Sequence, residues 1–255
     1  QDYTELLIEL GINNVRIIPV EDEMTTCDII RNKIGSDNHI FIFPIDLITS
    51  QNLTTIYDFH VSSQSFITIL TTKFTVEPNE LKNAPGLQNI QQLSSQGLRY
   101  FVYDQNDPTK LLSLLSDAAI RSADLDLTHT TRIKNSMELD PSLLEGFRSL
   151  IIDCSQQPTN AYLLSPACIQ ILRENNDIHS IESEFIPFLC QDYAESAALS
   201  SNLQYNQQQS PHSSIFCFGE KEFAYRVADY STLFITNLKC ATGRLREFSP
   251  FAEFI

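Results

Sequence analysis

Ile40-Phe41-Ile42-Phe43-Pro44-Ile45-Asp46-Leu47-Ile48-Thr49 is the stretch on which the fold turns. Four apolar residues in a row, without polar alternation, suit a strand covered on both faces, as in a parallel sheet. Proline closes the run, and an aspartate follows at its carboxyl end. Working outward, Thr25 or Thr26 can cap a helix through Ile34, with Ile29, Ile30 and Ile34 inward and Gly35 as its stop. Downstream, Asn52 or Thr54 can start a helix carrying Leu53, Ile56, Tyr57 and His60, and Ser65 to Phe74 is β-branched and extended. Upstream, Tyr3 to Leu10 has a helical apolar face, and Val15 to Val20 reads as a strand. Helix and strand thus alternate, which predicts an α/β domain with a doubly wound, mostly parallel sheet.

The middle is less regular. Thr75 to Gln96 reads as loop, Leu98 to Tyr103 as strand, Leu111 to Ile120 as helix and Leu125 to Ile133 as extended. Ser149 to Cys154 and Asn160 to Leu164 read as strands. Pro166 suits the first turn of a helix through Leu172, and Ser180 starts a further helix, interrupted at Pro187. Ser, Asn and Gln dominate Ser200 to Ser214. So polar a tract buries too little apolar surface to offset ordering, so the range 196–214 is expected to be a disordered insertion within one domain, residues 1–255. Ile215 to Phe218 and Phe223 to Val227 then read as a hairpin, and a last helix is expected over Thr232 to Lys239.

The composition narrows the functions. Among 255 residues, 32 are acidic and 17 basic, a net charge of −15. Such a surface repels phosphate backbones and anionic lipid, so neither nucleic acid nor membrane is expected as a partner. No apolar run is long enough to cross a bilayer, and Gln1 to Glu5 lacks a signal peptide's basic start. Six widely spaced cysteines, with no CxxC pair, read as reduced thiols of a cytosolic protein. The five histidines lie in no metal-ligand pattern; His60 reads as a helix-surface or core-edge residue. No P-loop, GxGxxG or GxSxG is present, and only seven glycines are available to cradle phosphate. Asp46 stands out, because ligands in open α/β sheets gather at the carboxyl ends of strands. A carboxylate there can hold Mg²⁺ beside a phosphate, or simply cap the next turn. Glu182 and Glu184, two apart, do not share a helix face and suit a solvated first turn.

Several blocks together resemble one family. Val20-Glu21-Asp22-Glu23-Met24-Thr25-Thr26-Cys27-Asp28, the Asp46-Leu47-Ile48-Thr49 block, Leu53 to Leu70, Asn160-Ala161-Tyr162-Leu163, Ile178 to Leu189, Arg226-Val227 and Asn237 are similar to the gamma subunits of eukaryotic translation initiation factor 2B. The resemblance implies a nucleotidyltransferase-like (Rossmann-like) domain related to sugar-nucleotide pyrophosphorylases. It implies that the first βα unit, with its Gly-rich loop, and the C-terminal left-handed β-helix are lacking from these residues. It places Thr25, Asp46 and Asn160 at a relic nucleotide and metal position. Active relatives hold their metal with two aspartates. Here the second corresponds to Ala228, and Ile45 replaces the glycine beside the first. One carboxylate does not make a two-ligand metal site, so no catalytic residue, metal or cofactor is expected. The implied role is that of a non-catalytic scaffold for the epsilon subunit in an assembly exchanging GDP for GTP on initiation factor 2. The alternatives are an active pyrophosphorylase and a nucleotide-sensing regulatory domain.

Overall fold

The computed structural model describes residues 19–20, 23–35, 37–49, 51–73, 99–105, 107–116, 149–153, 155–190, 213–217, 224–227, 233 and 236–237. The elements are helix α1 (Thr26–Lys33), strands β1 (Ile40–Ile42) and β2 (Leu47–Thr49), helix α2 (Leu53–Ser62), strands β3 (Ile67–Lys73), β4 (Arg99–Asp104), β5 (Asp107–Ser116), β6 (Leu150–Asp153) and β7 (Gln156–Leu164), helix α3 (Pro166–Glu174), helix α4, and strands β8 (Ser213–Cys217) and β9 (Ala224–Arg226). Helix α4 begins as a π turn over Ile181–Phe185 and continues as α-helix to residue 190. Its widened first turn precedes Pro187, whose ring would clash with the carbonyl four residues back in a regular helix.

Seven of the described strands form one sheet in the order β1-β7-β3-β8-β5-β4-β6, and β2 pairs with β9 in a separate ribbon. The doubly wound, mostly parallel sheet expected from the sequence is not what the described strands form. Only β3 and β8 pair in parallel, and the other pairings in the sheet are antiparallel. The apolar run of β1 is the reason for the difference. Burial on both faces governs such a run, and it is the same whichever way the neighbour points. β1 and β3 do run the same way, linked through α2, but the antiparallel β7 lies between them. Residues 111–116 belong to β5, not to a helix. Leu111, Leu112, Ser113, Leu114 and Leu115 satisfy a helical or an extended pattern alike, and pairing with β4 across a tight turn at Gln105 decides it. The hairpin expected from Ile215 to Val227 also does not form. β8 joins the main sheet, and β9 turns to β2. Of the expected insertion, Ser213 and Ser214 begin β8, and 196–212 lie outside the described residues. So do Tyr3 to Leu10, most of Val15 to Val20, Thr75 to Gln96 and Leu125 to Ile133.

The register divides the core in two. Ile40, Leu164 and Ile67 share one row across the sheet, as do Ile42, Tyr162 and Ile69. They face the larger core, closed by Cys27 and Ile30 of α1, Cys168, Ile169 and Leu172 of α3, and Ile181, Phe185 and Leu189 of α4. Leu163, Ala161 and Leu70 point the other way, under Ile56 of α2 and Ala224 of β9. Strand alternation thus sends neighbouring residues to opposite cores. Arg31 binds the helical layer together. Its side chain, 8% exposed, pairs with Asp28 at 2.7 Å and donates to the carbonyls of Leu172 (3.1 Å), Asn175 (2.9 Å) and Ile178 (2.7 Å). Arg173 answers with a 2.6 Å bond to the carbonyl of Ile34.

Candidate functional site

A cleft of 640 Å³ opens where the ends of β1 and β7 meet the starts of α1 and α4. That volume lies within the range of about 300–1,000 Å³ of small-molecule sites. Ile42, Phe43 and Pro44 supply one wall, Thr25 and Thr26 a second, Asn160 and Tyr162 the floor, and Ser180 to Glu182 a third side. Thr25 and Asn160, two of the three residues singled out from the sequence, therefore come together; Asp46 does not line the cleft.

Each wall follows from local sequence chemistry. Thr25 is the N-cap of α1 in a reciprocal capping box. Its hydroxyl accepts from the Asp28 backbone N–H at 3.2 Å, and the Asp28 carboxylate accepts from Thr25 N–H at 3.0 Å and from its hydroxyl at 2.7 Å. These bonds hold the Asp28 carboxyl below its ordinary range. Ser180 caps α4, and Glu184 reaches back to accept from the N–H groups of His179 (2.6 Å) and Ser180 (3.1 Å), which lowers its pKa likewise. Both helix N-termini beside the cleft thus already hold a carboxylate of their own. An incoming anion meets donors that are taken.

Asn160 stands at a bulge. The β3–β7 register breaks between Leu70 and Thr71, whose partners are Ala161 and Pro158, so Thr159 and Asn160 fall between ladder positions. Asn160 takes φ 56°, a left-handed backbone that asparagine tolerates better than most residues. Thr159 stitches the bulge by donating to the carbonyl of Leu70 at 2.7 Å. Bulges re-aim side chains, and this one sets Asn160 on the cleft floor. Tyr162, two residues on, is 5% exposed, and burial raises its pKa, with Glu182 adding in the same direction. Glu182 itself is paired with Arg99 of β4.

Asp46 lies in the turn from β1 to β2 and is claimed by Arg226 of β9. Arg226 Nε donates to Oδ1 at 3.2 Å and Nη2 to Oδ2 at 3.0 Å. The backbone reinforces this, since Val227 N–H donates to the Asp46 carbonyl at 2.9 Å. With both oxygens accepting from a guanidinium, Asp46 does not fit the role of a free metal ligand. Among the described residues no group of three or more His, Cys, Asp or Glu is placed to hold a metal ion. Among the described residues that line the cleft there is no Lys or Arg, and the imidazole of His179 is exposed and 3.9 Å from Asp28.

Arg226 and His60 take places that the sequence reading did not give them. Arg226 was legible only as part of a motif, not as the partner of Asp46. His60 is fully buried, with Nδ1 2.7 Å from the Thr68 hydroxyl, and is neither a surface nor a core-edge residue. Its place in the apolar face of α2 was the available signal. Cys27, Cys168 and Cys190 are buried thiols that form no disulfide. Among the described residues no helix is long and apolar enough to cross a membrane. No protein-family model matches the chain, and no curated protein matches it.

Proposed function

We propose that this domain is a non-catalytic scaffold in a guanine-nucleotide exchange assembly, as its likeness to the gamma subunits of initiation factor 2B implies. On this reading it supports the epsilon subunit while GDP is exchanged for GTP on initiation factor 2 in the cytosol. The observation that carries the non-catalytic part is the bidentate capture of Asp46 by Arg226. Phosphoryl and nucleotidyl transfer require cations opposite the developing charge. Here the carboxylate that would hold a metal is neutralised by the chain itself, and among the described residues the nearby cleft offers a nucleotide no Lys or Arg. The acidic surface, at a net charge of −15, favours a basic partner face.

Two measurements test this. Pyrophosphate release from GTP with mannose-1-phosphate, or UTP with glucose-1-phosphate, in the presence of Mg²⁺, is expected to stay at the level of an Asp46→Asn control. Turnover above that control would establish a pyrophosphorylase instead. Co-purification with the epsilon subunit is expected, and its absence would remove the scaffold reading.

The cleft itself favours a second reading, ligand sensing without chemistry. Among the described residues the Tyr162 hydroxyl and the Asn160 amide take no hydrogen bond, and both line it. Titration with GTP, ATP and sugar nucleotides separates the two, because a pure scaffold shows no saturable binding.

A further inference from the structure

Two uncharged groups stand out on the cleft floor. Tyr162 lies opposite Ile42 in the β1–β7 register, is 5% exposed and lines the cleft. Asn160, two residues before it, is set on the same floor by the bulge and its φ of 56°. Among the described residues neither the Tyr162 hydroxyl nor the Asn160 side-chain amide has a hydrogen-bond partner. A phenol so deeply buried ordinarily has one, because an unpaired buried donor is costly. The charged groups beside the cleft are already matched within the chain. Asp28 pairs with Arg31 at 2.7 Å, Glu182 pairs with Arg99, and Glu184 accepts from the N–H groups of His179 and Ser180. We infer that the cleft takes an uncharged aromatic carboxamide, its amide on Asn160 and Tyr162 and its ring against Phe43.

The inference rests on the ligand-sensing reading of the cleft and gives that ligand a chemical class. The Asn160 amide offers a donor and an acceptor in one plane, and another carboxamide answers both at once. Burial raises the pKa of Tyr162, so its hydroxyl keeps its proton at neutral pH and can donate as well as accept. A carboxylate brings acceptors alone and an amidinium donors alone, so each answers half of the Asn160 amide. Either would also have to shed the hydration of a full charge beside charges already paired with one another.

The ring follows from the wall. Phe43 stacks on Phe41 with centroids 5.4 Å apart and planes at 10°, yet keeps 39% of its surface exposed and lines the cleft. Ile42 and Pro44 flank it. An apolar wall facing a few fixed polar groups is the usual make-up of a small-molecule site, and a planar ring packs well on an exposed aromatic one.

The test is a ligand-observed NMR titration of the whole chain, at neutral pH, with benzamide, benzoate and benzamidine, three planar probes of one shape. Benzamide is expected to saturate and to bind about tenfold more tightly than either charged probe. Asn160→Gly keeps the left-handed backbone and removes the amide, and Tyr162→Phe keeps the ring and removes the hydroxyl. Each should weaken benzamide by up to about tenfold, with melting curves confirming the fold. If Tyr162→Phe does not fold, Asn160→Gly carries the test alone. Benzamide binding that the folded variants leave unchanged would overturn the site. Equal or tighter binding of benzoate or benzamidine would overturn the class. GTP, ATP and sugar nucleotides are titrated alongside. Saturable binding of one of these without benzamide would remove the carboxamide and leave ligand sensing standing, whereas no binding by any probe would remove both.

Discussion

Arg226 and Asp46, separated by 180 residues in sequence, form a bidentate pair that closes the β2–β9 ribbon against the end of β1. Leu47 lies opposite Arg226 in the ribbon register, so the ion pair continues the ladder by one step. Both side chains are partly exposed, at 32% and 21%, and water screens their attraction.

The pair should therefore contribute modestly to stability and nothing to assembly. Asp46→Ala and Arg226→Ala are each expected to cost about 1 kcal/mol, lowering the melting temperature by roughly 2–4 °C. The double variant should cost less than the sum of the two, which a thermal-denaturation cycle measures. Co-purification with the epsilon subunit should be unchanged in Asp46→Ala.

Arg31 presents the opposite case. Its guanidinium is buried and serves three carbonyls as well as Asp28. Arg31→Ala should cost roughly 3 kcal/mol in urea unfolding, because the buried carbonyls lose their donors. Arg31→Lys should recover little, since an ammonium lacks the planar fork that reaches all four acceptors.

The left-handed backbone at Asn160 makes a substitution series informative. Asn160→Gly should be neutral or slightly stabilising. Asn160→Val should cost about 1–2 kcal/mol, as a β-branched residue at positive φ meets its own backbone. Equal stability of the two in denaturant titration would mean that the bulge relaxes.

The capping box of α1 predicts an acid-sensitive term. The folded-state pKa of Asp28 is depressed, so its contribution is present above the unfolded value of about 3.9 and disappears as pH falls through the folded value. Asp28→Asn should lower stability at neutral pH and flatten the loss between about pH 5 and about pH 2.5. Thr25→Ala should cost about 1 kcal/mol, and Thr25→Ser little. Urea midpoints across that range check both.

The buried thiols should be inert. Burial pushes Cys27 up to about 11 and raises Cys168 further. The thiolate is the reacting form, so neither should react with a disulfide reagent in the native protein at neutral pH. Both should react promptly in denaturant, with mass spectrometry locating the adducts.

The local elements were legible because their causes are local. Thr25 or Thr26 before α1, Asn52 or Thr54 before α2 and Pro166 in the first turn of α3 are start signals within a few residues, and the structure selects Thr25, Asn52 and Ser165 as the caps that satisfy the helix donors. The strands at Ile40–Ile42 and Ile67–Lys73 follow from β-branched and apolar runs. Asp46 was legible as a strand-end carboxylate for the same reason. Strand direction and partner were not legible. An apolar run records burial on both faces but carries no sign for the neighbour that supplies it, so the antiparallel β7 between β1 and β3 emerges only from the assembled sheet. The leucine run in β5 fits both periods, and its pairing with β4 selects one. The partner of Asp46 was hidden too, because an ion pair 180 residues apart depends on β9 crossing to β2 and leaving β8 behind. Composition and spacing alone determined an acidic, mixed helix-and-strand chain without a phosphate-binding loop. Long-range pairing decided which carboxylates remain free for chemistry, because that depends on which side chains the folded backbone brings within hydrogen-bonding reach.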